Sequence, residues 1–123
     1  MKKHSGFVEF LNEAFEELGL IDVRKMFGGY GIYHDGVMFG LVEKDTLYLK
    51  ADETTQKHFE SKGLSQFQYN RAGKVVKMSY YKAPEEIYDD REKAAVWARR
   101  AYKVALKQNI NKNRRKKDKK SVH

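Results

Sequence analysis

The chain has no cysteine and a single proline, Pro84, in 123 residues. Without cysteine there is no disulfide framework, no thiol nucleophile and no cysteine-based zinc site. No apolar run approaches the roughly 20 residues of a membrane span. Met1-Lys2-Lys3 leads into His4, Ser5 and an amphipathic pattern rather than a signal-peptide core, so a cytoplasmic protein with no membrane contact is expected. Gly/Ser linkers and internal repeats are also lacking, and a chain of this length suits one domain.

Catalytic patterns are equally sparse. His4, His34, His58 and His123 are scattered, with no HxxxH and no His/Asp/Glu spacing that holds a metal. None of Ser5, Ser61, Ser65, Ser79 and Ser121 sits in a GxSxG elbow or an SxxK motif. The pairs Glu85-Glu86 and Asp89-Asp90 stand before helical segments, where capping and dipole complementation are the ordinary use of a carboxylate. No enzyme, cofactor or metal is expected.

What is abundant is positive charge, and it is unevenly placed. The net charge is +8, but residues 107–123 hold eight Lys/Arg and one Asp, which leaves residues 1–106 near neutrality at +1. A folded domain over 1–106 and a basic, disordered tail over 107–123 are expected. Within the tail, Arg114, Arg115, Lys116, Lys117, Lys119 and Lys120 are candidates for weak, non-specific nucleic-acid contact.

The run from Val23 to Gly40 is rich in glycine and aromatic residues. A phosphate loop would pass from a strand into a helix. Here Gly28, Gly29 and Gly31 lead instead into Ile32-Tyr33-His34, then Asp35-Gly36, then Val37-Met38-Phe39. Asp-Gly between apolar runs is a two-residue hairpin signal, so the glycines serve chain geometry.

Around this hairpin the pattern orders the chain. Phe7, Phe10, Leu11, Ala14, Phe15 and Leu18 mark one face of a first helix, capped by Ser5 and ended by Gly19. Strands are expected near 23–27, 30–34, 37–43 and 46–50, with a second short turn at Lys44-Asp45. A short helix follows from Asp52 to Lys62. A further hairpin pairs 67–69 with 74–81 around 70–73. Pro84 ends that strand, and a long helix runs from Asp89 or Asp90 to about Gln108, burying Ala94, Trp97, Ala98, Ala101 and Ala105. The expectation is α+β: an antiparallel sheet of meander plus hairpin, with helices packed mainly on one face. Phe7, Phe10, Phe15, Phe39, Leu47, Leu49, Phe59, Met78 and Trp97 are the expected core.

Met26-Phe27-Gly28-Gly29-Tyr30-Gly31-Ile32-Tyr33, Asp35-Gly36-Val37-Met38-Phe39, Leu47-Tyr48-Leu49-Lys50, Met78-Ser79-Tyr80-Tyr81 and Trp97-Ala98-Arg99-Arg100-Ala101 occur in this order. Together they resemble the TfoX (Sxy) N-terminal domain family over roughly residues 7–106. The resemblance implies a fold similar to secretion-chaperone-like domains in a bacterial cytoplasmic protein. Longer members are regulators of natural competence that act with the cyclic-AMP receptor protein at promoters of DNA-uptake genes. This chain has a basic tail where those continue into a second, helical domain, so their transcriptional role carries over weakly.

Two functional expectations follow. The first is a non-enzymatic regulatory or adaptor domain whose partner is a protein, either a transcription regulator or a second copy of the chain. Its candidate contact residues are Arg24, Lys25, Tyr33, Tyr48, Arg99 and Arg100. The second is a small nucleic-acid-associated protein that binds through the tail. The tyrosines Tyr30, Tyr33, Tyr48, Tyr80 and Tyr81 are compatible with base stacking, but no RNP-like pattern accompanies them.

Overall fold

A computed structural model describes the backbone of residues 6–26 and 28–120, and the side chains of these except Phe7, Val8 and residues 113–120. Helix α1 spans Gly6–Ala14. The strands are β1 Asp22–Met26, β2 Gly29–His34, β3 Val37–Glu43, β4 Thr46–Lys50, β5 Gln66–Arg71 and β6 Lys74–Lys82. Between β4 and β5 lies α2, Gln56–Glu60; after β6 come a 3-10 turn, Glu85–Tyr88, and α3, Arg91–Lys120. All pairings are antiparallel, and the sheet order is β1-β2-β3-β4-β6-β5. A four-stranded meander thus accepts the last hairpin with its second strand against β4.

Turn chemistry explains the hairpins. Asp35 (φ 49°) and Gly36 (φ 79°) both lie in left-handed space, as do Lys44 and Asp45, and Ala72 and Gly73. Two successive positive φ values make the primed turn whose twist matches that of the flanking strands. The last turn is Ala72-Gly73, two residues shorter than the loop expected at 70–73, because Asn70 and Arg71 pair with Val75 and Lys74.

Alternation sorts the strand residues onto two faces. Ile32, Phe39, Val42, Leu47, Leu49 and Tyr81 join Leu11, Phe15, Phe59, Ile87, Ala94, Trp97, Ala98, Ala101 and Ala105 in one buried cluster. All three helices lie on that face. A bulge keeps β3 in phase: Ile32 opposes Gly40 and Tyr33 opposes Met38, so Phe39 is the extra residue and both it and Val42 reach the core. Phe15, Phe39, Leu47, Leu49, Phe59 and Trp97 are buried as expected. Phe10 is only partly buried against the core, Met78 is half-buried, and Phe7 lies outside the described side chains.

Three helix boundaries differ from the sequence expectation. The first helix ends at Ala14 rather than Leu18, where the chain tightens into i→i+3 bonds such as Leu18 N–H to Phe15 O at 3.0 Å. Asp52 does not open the second helix; its carboxylate accepts from the backbone of Thr54 and Thr55 and from the Thr54 hydroxyl, and the helix starts four residues later. Instead of ending near Gln108, α3 runs on to Lys120, since its Lys-, Arg- and Asn-rich second half has no glycine or proline to stop it.

The glycine block is a matter of clearance, as its lead into a strand implied. A Cβ on Gly29 would run into the Val42 carbonyl oxygen of β3, whereas a Cβ on Gly28 meets nothing within 4 Å. Replacing Gly29 with alanine is therefore expected to cost about 1–3 kcal/mol of stability by forcing β2 and β3 apart. Gly28→Ala is expected to stay within about 0.5 kcal/mol. Urea unfolding of the two variants checks the order, and equal midpoints would contradict it.

Candidate interaction face

The sheet face turned away from the helices carries no covering element among the described residues. Pairing lines up Arg24, Gly31, Leu41, Tyr48 and Lys82 across five strands on this open side. Beside that row stand Met26, Tyr33, Met38, Lys50 and Tyr80, and on the outer hairpin, by alternation, Phe67, Tyr69, Arg71, Lys74, Val76 and Met78. Three of the four methionines of the chain fall here.

This face is partly roofed by its own side chains. Leu41 is only 5% exposed and Tyr80 only 6%, although no helix lies above them. A Cβ on Gly31 would meet Tyr33 at 2.9 Å and the sulfurs of Met26 and Met38 at 3.0 and 3.3 Å, so these three side chains lie over the glycine. The Arg24 guanidinium sits 4.5 Å from the centre of the Tyr33 ring and also pairs with Asp22 at 3.0 Å. The Lys50 ammonium stands 4.9 Å from the Tyr80 ring. Across the strand between them, Tyr48 and Phe67 meet edge to face at 4.9 Å, and Phe67 leads to Tyr69 at 6.3 Å.

Electrostatics follow from that packing. Burial, with a smaller contribution from the Tyr33 phenol, pushes the Tyr80 hydroxyl up to about 12. Burial also lowers Lys50, and burial with the Glu43 carboxylate raises Tyr48. The carboxylates on this side are Asp22, already joined to Arg24, and Glu43 at the end of β3.

The six expected partner-contact residues do not form one site. Arg24, Tyr33 and Tyr48 come together on the open face. Lys25 pairs with Tyr30 and points to the opposite side at the sheet edge. Arg99 donates to the Glu17 carbonyl at 3.1 Å, which ties α3 to the chain after α1. Arg100 covers the Trp97 ring at 4.8 Å, on the helix side of the molecule. There it borders a shallow depression of about 490 Å³ with His58, Lys62, Glu86, Lys93 and Trp97, in which Glu86 already accepts from the Trp97 indole and pairs with Lys62. The tyrosine set splits as well: Tyr33, Tyr48 and Tyr80 are on the open face, while Tyr81 stacks on Phe59 in the core and Tyr30 packs against it. The side chains of Arg114, Arg115, Lys116, Lys117, Lys119 and Lys120 lie outside the described ones.

Met26, Met38, Leu41, Phe67 and Tyr69 were not singled out from the sequence, although strand alternation from Tyr33 and Tyr48 would have found them. Other polar groups have local duties. His34 Nδ1 bonds the Leu20 carbonyl at 2.7 Å, and its ring packs on Tyr102. Asp90 caps α3 through the backbone N–H of Glu92 and Lys93. Among the described residues no group of three His, Asp or Glu converges to hold a metal, and no helix is long and apolar enough to cross a membrane.

The model of the TfoX N-terminal domain matches residues 13–105, three quarters of the chain. The chain belongs to that family. It is similar to the protein Sxy of Escherichia coli (strain K12), 27% identical over 103 residues that make up 84% of this chain and 49% of Sxy. It is also similar to the DNA transformation protein TfoX1 of Aliivibrio fischeri (strain ATCC 700601 / ES114), 29% identical over 70 residues, 57% of this chain and 34% of that protein. It spans half or less of the length of these relatives. The open face of this TfoX N-terminal domain is built almost entirely inside the matched segment.

The raised Tyr80 makes an alkaline prediction. A phenol whose folded pKa exceeds its unfolded value stabilises the fold fully below about pH 10, and that contribution is lost as pH rises toward about 12. Tyr80→Phe is expected to flatten the alkaline limb of stability between those values. Thermal unfolding measured across pH 9 to about 12 checks it; an unchanged limb would show that Tyr80 ionises freely.

Proposed function

We propose that this chain is a non-enzymatic regulatory or adaptor domain of the competence-regulator type, which works by holding another protein against the β1–β3 part of its open sheet face. The observation that supports this most is the composition of that patch: Met26, Tyr33, Met38, Leu41 and Arg24 on adjacent strands, with no helix above them. Protein interfaces are enriched in aromatic residues, methionine and arginine and poor in carboxylates at their centres. Methionine suits such a surface because its unbranched thioether adapts to a partner's shape. Arg24 and Tyr33, stacked together, offer a flat, amphipathic anchor of the type that dominates binding energies.

Family membership and the relatives' names favour a role in regulating DNA uptake. The partner in this reading is a regulator of transcription. No step of bond chemistry is assigned to the domain.

The test uses the full chain and a charged variant of the patch, Met38→Glu, with Val96→Glu on the exposed outer side of α3 as control. Each is crosslinked in lysate of the host, captured and compared. Met38→Glu is expected to keep the thermal transition within a few degrees, lose a specific set of captured proteins, and fail to restore transcription of the regulated genes in a host lacking this chain. Val96→Glu is expected to keep the transition, the captured proteins and the transcription alike. Retention of both functions by Met38→Glu would refute the assignment.

A further inference from the structure

The other half of the open face, on β4, β6 and β5, has a different chemistry. Its cations are three lysines and one arginine, with Arg71, Lys74 and Lys82 exposed and Lys50 half-buried over the Tyr80 ring, none of them in an ion pair among the described residues. Between them run the rings of Tyr48, Phe67 and Tyr69, in contact one with the next, and Tyr69 is 37% exposed. Glu43, at the end of β3, is the carboxylate whose charge reaches Tyr48.

We propose that this half is a binding platform for single-stranded nucleic acid, with bases stacked on Tyr48, Phe67 and Tyr69 and the backbone seated on Lys50, Arg71, Lys74 and Lys82. Two features select this occupant. The unpaired cations call for a polyanion, and lysine is depleted at protein interfaces. Partly exposed rings on a sheet surface reach only unstacked bases, which a duplex does not offer, and aromatic faces tolerate any base. A second copy of the chain would bring the same four cations against themselves, which disfavours self-pairing. The platform adjoins the β1–β3 patch assigned to a protein, Leu41 opposing Tyr48, but uses other side chains, and the proposal stands or falls apart from that assignment.

The experiment is a fluorescence-anisotropy titration of the full chain with labelled oligo(dT) of about 12 nucleotides, a length within the range one such surface covers. Binding is expected at low ionic strength, with an unlabelled duplex of equal length competing at least about tenfold less well. Tyr69→Ala and Phe67→Leu, which removes the ring but keeps an apolar side chain, are each expected to weaken binding about tenfold. Arg71→Glu with Lys74→Glu should weaken it further and reduce the dependence of log affinity on log salt by about 0.7 for each phosphate contact removed. All four positions are at least partly exposed, so thermal unfolding should show each variant folded. The proposal is overturned if no binding occurs, if the duplex competes as well as oligo(dT), or if every variant of this face binds like the original chain. That last result would place the affinity on other cations.

Discussion

The close seating of α3 on the sheet governs the rest of the structure. Ala94, Ala98, Ala101 and Ala105 are all essentially buried and recur every three or four residues, so one narrow face of the helix presents only methyl groups to β3 and β4. β3 contributes a buried glycine, Gly40, whose Cβ would press on the Tyr48 carbonyl at 3.2 Å. The small residues of α3 leave room for Val42, Leu47 and Leu49 of β3 and β4 to fill the interior densely. Trp97 meets Phe59 at 5.0 Å, and Tyr102 meets Phe39 at 6.3 Å and His34 at 4.8 Å. Each ring draws a further element, α2 on one side and the β2–β3 hairpin on the other, onto the same core.

Because α3 is the only long helix among the described residues and lies on one face, the opposite face manages its apolar surface alone. It does so by laying side chains flat. Tyr33 and the methionine thioethers cover Gly31, and Leu41 disappears from solvent without a second layer. Cations then settle on the rings, Arg24 on Tyr33 and Lys50 on Tyr80, which keeps the surface wettable. This arrangement hides much of the apolar area but none of its chemistry. A partner that displaces or joins these rings gains aromatic contact at once, which supports the proposed use of the face for binding.

The hairpins were legible because their causes are local. Asp35-Gly36 and Lys44-Asp45 lie between apolar runs, and the backbone at all four residues has positive φ. The α+β order and the alanine face of α3 were legible for the same reason, as periodicity is a property of the segment itself. Helix ends were not, because they turn on competition: Asp52 satisfies Thr54 and Thr55 in a loop instead of capping a helix, and nothing in the Lys/Arg-rich run after Gln108 halts α3. Least legible was the grouping of candidate residues. Lys25 and Arg24 are adjacent in the chain, yet strand alternation sends them to opposite faces. Arg99 and Arg100 are adjacent on a helix, yet one holds the Glu17 carbonyl and the other covers Trp97.

The glycine-rich block, read as backbone geometry, turns out to shape the candidate surface as well. Gly29 lets β2 approach β3, but Gly31 has a different duty, for its missing side chain is on the open side. A Cβ there would stand 2.9 Å from Tyr33 and 3.0 and 3.3 Å from the sulfurs of Met26 and Met38, so the side chains over it would have to give way. The close packing of Tyr33, Met26 and Met38 over β2 therefore uses the space that residue 31 leaves by having no side chain. Clearance and surface chemistry are one requirement at this position, and the sequence block that marks the family is also the floor of the face proposed to hold its partner.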